Sequence, residues 1–122
     1  NLRYIQMDTQ KFINYNLDNI FKNNQIKCII GIDTYPSQLV LQKREDIPFW
    51  FDRMGFTGGE LQARDFRMPG TEKSDFFIKK EAELIRVADI ISTTTLRGKY
   101  TIIGELGLLK CLDYEGFGKD IV

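Results

Sequence analysis

The chain has 122 residues, 43% of them apolar, 12% aromatic and 28% charged, as in an ordinary globular domain and unlike a disordered, collagen-like or membrane-spanning chain. Seventeen Lys and Arg balance seventeen Asp and Glu, evenly in both halves, so there is no basic excess with which to follow a phosphate backbone. Histidine is absent, which removes the commonest general base and transition-metal ligand, and with them serine triads, Cys-His dyads and His-based zinc sites.

Residues 1–6 precede Met7 and read as a leader or expression remnant, leaving 7–122 as a single domain. Phe12, Ile13, Leu17, Ile20 and Phe21 fall at helical spacing behind Asp8 or Thr9, which predicts an amphipathic helix over about 9–24. Residues 26–33 form a short run rich in isoleucine and predict a buried strand, with 38–43 as its hairpin partner. Glu45 and Asp46, an early Pro48 and a closing Gly55 predict a short helix over about 46–54. Gly58-Gly59 then opens a strand at 60–67, Met68 to Thr71 make a turn, and 75–80 extend. Leu84, Val87, Ala88 and Ile91 share one face of a helix over 81–91, and 100–103 and 106–112 read as two closing strands. Strands that do not alternate with helices predict an α+β fold, a mainly antiparallel sheet carrying the N-terminal amphipathic helix and one or two short helices.

Cys28 and Cys111 sit in apolar runs and read as reduced core thiols of a cytoplasmic protein. No stretch approaches the roughly 20 apolar residues of a membrane span, so no membrane contact is expected. No cofactor or metal is expected either: the pair of cysteines cannot enclose zinc, and no glycine-rich pyrophosphate loop opens a helix after a strand. Gly104-Glu105-Leu106-Gly107 resembles the GxxG loop of K-homology nucleic-acid domains, but Glu105 carries the wrong sign for a loop that approaches phosphates.

Phe49-Trp50-Phe51 is the strongest anomaly, because three consecutive aromatics on a helix point about 100° apart and cannot all face one core. One ring is left to the surface, and Trp and Met are enriched where interfaces concentrate binding energy. The sequence therefore points to a small non-catalytic protein-binding module of the inhibitor, immunity or adaptor type. Its partner, a protein of unknown identity, would be held by Trp50, Phe51 and Met54 with Arg53, Arg64 and Arg67 for orientation. Self-association through the same patch is the nearest variant. The alternative is a nucleic-acid-acting domain, with Asp33, Asp65 and Asp75 holding a divalent metal or Arg64, Arg67, Lys79 and Lys80 on backbone phosphates. No Asp or Glu has Lys two residues on, as the PD-(D/E)xK nucleases require.

Overall fold

The computed structural model describes residues 11, 20–22, 26–41, 46–67 and 74–112. In chain order they form β1 (Ile29–Ile32), α1 (Thr34–Leu41), β2 (Phe49–Arg53), α2 (Thr57–Arg67), α3 (Ser74–Val87), β3 (Ile90–Thr93) and α4 (Leu96–Leu108). The three strands make one sheet in the order β1-β2-β3, with every pairing parallel. This overturns the mainly antiparallel sheet expected from the sequence. A parallel neighbour is reached only by a crossover connection, so the segment after each strand must turn back as a helix rather than pair as a hairpin.

That requirement explains each reassignment. Residues 34–41 follow β1 as helix α1, not as a hairpin strand. Asp33 takes a left-handed φ of 66° at the end of β1, its Oδ1 accepts the Thr34 amide at 2.7 Å, and Ser37 Oγ donates to its carbonyl at 2.5 Å. Pro36 sits in the first turn of α1, where a missing N–H costs nothing. The expected helix over 46–54 is strand β2 at its core, and the expected strand at 60–67 is the body of α2. Residues 75–80 open α3, whose first turn carries Asp75 and whose last carries Arg86. The two closing strands are one helix, α4, started by Thr95, whose Oγ1 accepts the Gly98 amide at 3.0 Å. It ends in a Schellman arrangement: Lys110 adopts φ 58°, its amide bonds to Gly107 O, and the Cys111 amide bonds to Leu106 O. The GxxG lookalike lies inside α4 and forms no loop. Of the expected N-terminal helix, residues 11 and 20–22 are helical and the rest lies outside the described residues.

The core lies on one face of the sheet. Ile29, Phe49, Phe51 and Ile91 point into it and meet Leu84 and Ile85 of α3 and Ile102 and Leu106 of α4. Phe49 and Phe51, one residue apart on the same side of β2, stack with ring centroids 6.4 Å apart. Gly31 lies beneath α1, and a methyl there would land on Ser37 Oγ and 2.8 Å from Phe49 Cε2. Gly31→Ala is therefore expected to lower stability by about 1 to 3 kcal/mol through overpacking, read as a lower urea midpoint at unchanged slope. Cys28 is exposed and Cys111 half-buried, so only Cys111 packs near the core, and neither forms a disulfide. Among the described residues no helix is long and apolar enough to cross a membrane.

Candidate functional site

A strand presents alternate residues to opposite faces, and the register aligns them across the sheet. Ile30, Trp50 and Ile90 form one row on the face opposite the helices, and Ile32, Asp52 and Ser92 the next row toward the carboxyl ends. Ile30 is 57% exposed, Ile32 55% and Ile90 55%, and Trp50 lies half-buried between Ile30 and Ile90. The indole is fixed in place: Trp50 Nε1–H donates to Ser92 Oγ at 2.7 Å, and Ser92 Oγ–H donates to Asp52 Oδ1 at 2.5 Å. The result is an apolar strip centred on an oriented tryptophan, edged on its carboxyl side by a carboxylate.

The residues singled out from the sequence are distributed differently from the expected patch. Trp50 is on the bare face. Phe51 is 0% exposed and belongs to the core, and Arg53 is buried on the helical side, so neither reaches a partner. Met54 is exposed just past the end of β2. Arg64 and Arg67 are exposed on α2, which packs against α3. Lys79 and Lys80 lie on α3, where Lys80 Nζ pairs with Glu83 at 2.9 Å and stands over the Phe76 ring. Asp33 follows the last residue of β1, Asp65 is in α2, and Asp75 is in the first turn of α3. Among the described residues no three of His, Cys, Asp and Glu gather closely enough to hold a metal ion.

The carboxyl edge of the sheet holds a second feature that the sequence reading did not anticipate. Arg53, the last residue of β2, is 3% exposed and lies between two glutamates from separate helices. Its Nε donates to Glu81 Oε1 of α3 at 2.7 Å, and Nη1 and Nη2 donate to the two oxygens of Glu105 of α4 at 2.6 and 3.1 Å. Thr57 Oγ1 adds a bond to the same Glu81 oxygen at 2.9 Å, and the guanidinium sits 5.3 Å from the centre of the Phe56 ring. Burial pushes the Glu81 carboxyl above the ordinary carboxylate range; the Arg53 charge and the Thr57 bond pull it down, and the Glu105 charge adds to the rise. Beside this cluster a cleft of about 290 Å³ opens between the ends of β2 and β3, lined by Arg53, Phe56, Thr93, Thr94, Thr95 and Arg97 among others. Glycine at 98 lets the first turn of α4 lie against Thr93 there.

Ile30, Ile90, Asp52 and Ser92 were missed as surface residues because the segment around Trp50 reads as a helix. Taken as a strand, its simple alternation puts Phe49 and Phe51 inside and Trp50 outside, and the apolar strands either side supply the isoleucines. Compared with protein-family models, with curated proteins and with solved structures, the chain matches none.

Proposed function

We propose that the chain is a protein-binding module whose partner seats on the bare face of the sheet, with Trp50 as its anchor. The observation that carries this reading is the row Ile30-Trp50-Ile90, which none of the described helices covers, on a sheet whose described strands are all parallel. Sheets of that kind are covered on both faces, because an exposed apolar row leaves unburied surface that a second layer would remove from water. Each isoleucine fully buried contributes about 1.5 to 3 kcal/mol, so Ile30 and Ile90 of this row, Ile32 of the next and an indole offer enough apolar surface for specific association. The Trp50-Ser92-Asp52 chain of hydrogen bonds holds the ring in one orientation, which lowers the entropy lost on binding. Asp52 at the rim favours a partner that brings a donor or a basic side chain to that end. The action is steric occupation, as in an inhibitor or adaptor, and Arg53 and Phe51 contribute to it only by holding β2 in place.

Trp50→Glu is expected to weaken capture of the partner from source cells by about 30-fold or more, the loss of a central hot spot, while the far-ultraviolet circular dichroism stays that of the parent. Sedimentation equilibrium separates the homo-oligomeric case, where the same variant shifts a concentration-dependent dimer to monomer. Wild-type capture and wild-type assembly by Trp50→Glu together would reject the reading.

A second reading, a small-ligand domain, is favoured by the cleft at the carboxyl ends of β2 and β3, since open parallel sheets bind ligands outside the carboxyl ends of their strands. Threonine hydroxyls and the Arg97 guanidinium there suit a hydroxylated or anionic molecule. Titration with inorganic phosphate and with simple sugars, followed through the amides of 93–98, tests it; no saturable shift with either counts against it.

A further inference from the structure

Strand β1 carries opposite charges at its two ends. Ile26 and Ile29 turn to the core, which leaves Lys27 and Cys28 exposed between them at the amino end. Asp33 is exposed at the carboxyl end, directly after Ile32. Between those ends the bare face is apolar across the sheet, and its polar atoms are already bonded to one another: Ser92 holds the Trp50 Nε1–H, and Asp52 holds the Ser92 hydroxyl. A partner can therefore cover the ring with hydrocarbon alone and strand no buried donor.

Resting on the docking-face reading above, we propose that the occupant is a second copy of this chain, stacked face to face about a two-fold axis that crosses the strands at the level of Trp50. Such an axis runs the strands of the two copies in opposite directions. By the sheet register it sets Ile30, Trp50 and Ile90 over their own counterparts, Ile32 over the other copy's Cys28, and Asp52 over the other copy's uncharged Pro48. It also brings Lys27 of each copy to the Asp33 end of the other, twice by symmetry, so the face is complementary to itself in charge as well as in apolarity. The other face-to-face axis, parallel to the strands, sets Asp52 on Asp52 and is disfavoured by like charge. Facing sheets keep their strand directions within about 30° and fill the space between with side chains, as the three half-exposed isoleucines and the indole do here. Those side chains and the polar rim expose on the order of 600 Å² per copy, the lower bound for a specific interface.

Sedimentation equilibrium of the 122-residue protein from about 1 to 500 µM is expected to show monomer and dimer in exchange, with a dissociation constant on the order of 10 to 100 µM. Trp50 is the chain's one tryptophan, so its emission should move to the blue over the concentrations at which the mass rises. Ile30→Glu and Ile90→Glu, at positions more than half exposed in the monomer, are each expected to weaken the dimer by about ten-fold or more with the far-ultraviolet circular dichroism unchanged. Leu108→Glu, on exposed α4 across the sheet, is expected to leave it intact. Lys27→Glu sets like charges together at both ends of the stack and is expected to weaken it by about three-fold or more at low salt. A monomer at every concentration, a dimer indifferent to Ile30→Glu and Ile90→Glu, or no effect of Lys27→Glu each overturns the proposal. A chain that stays monomeric yet loses a different protein from source cells on Trp50→Glu rejects the second copy and keeps the docking face, so the two failures are told apart.

Discussion

Arg53→Met is expected to destabilise the fold by about 3 to 5 kcal/mol near neutral pH, because it leaves the buried Glu81 and the half-buried Glu105 without their cation. Against a total stability of about 5 to 15 kcal/mol for a domain, this loss alone brings an appreciable part of the population to the unfolded state at 25 °C only at the lowest end of that range. The pH dependence gives the prediction a second handle. Burial already raises the Glu81 pKa in the parent, so the folded state binds that proton more tightly than the unfolded state does. Such a group stabilises the fold at a pH below the unfolded carboxylate range, and the contribution is lost as pH rises from that range through the raised value. Removing Arg53 takes away the largest influence that lowers the Glu81 pKa and moves the upper edge of the window higher. The deficit of Arg53→Met should accordingly be greatest at about pH 7 and shrink at about pH 5, measured by urea unfolding at both values. Replacing Glu81 and Glu105 by Leu in the same variant should recover most of the loss, since an apolar core of similar volume competes well with a buried ion cluster. A deficit below about 1 kcal/mol, typical of solvated surface pairs, would show that the cluster is hydrated.

The neighbouring aromatics of β2 give the second large effect through their contrast. Phe51→Ala removes a ring that is wholly enclosed and stacked on Phe49, and is expected to lower stability by about 3 to 5 kcal/mol. Trp50→Ala, one residue earlier, removes a larger ring that the fold covers only in part. Its loss is one hydrogen bond, about 0.5 to 1.5 kcal/mol, and part of an indole's burial, so it should fall well short of the Phe51 value. Equal losses at the two positions, read from urea midpoints, would place Trp50 inside the fold and remove the anchor from the docking face.

Phe49-Trp50-Phe51 shows how far local pattern reaches. Three successive aromatics demand two apolar environments on any backbone, and this much is fixed by side-chain volume and hydrophobicity alone. Whether the split falls at a helical 100° or at a strand's 180° depends on which neighbours β2 finds, and those are β1 and β3, about 20 and 40 residues away in the chain. The Arg53 cluster is a stronger case. Its partners lie 28 and 52 residues further on, and nothing in the local sequence distinguishes Glu81 or Glu105 from a solvated glutamate. The carboxyl-edge cleft inherits that invisibility.

Helix α4 illustrates the opposite error. Tyr100, Thr101, Ile102 and Ile103 favour strands, and two glycines suggest bulges, yet Ile102 and Leu106 stand four residues apart and both are buried. Burying that pair against the sheet outweighs propensities worth only tenths of a kcal/mol per residue.

By itself the amino-acid sequence determined the chemistry at hand: no imidazole, balanced charge, enough apolar mass for one core, an isoleucine-rich strand near residue 30 and an aromatic cluster too large for one face. Tertiary structure alone decided that the strands run parallel, that Phe51 and Arg53 turn inward while Trp50 stays at the surface, and that two glutamates close around a buried guanidinium. Composition and periodicity act over a few residues, whereas strand direction and charge pairing follow from contacts between distant segments whose free energy exists only once the chain has packed.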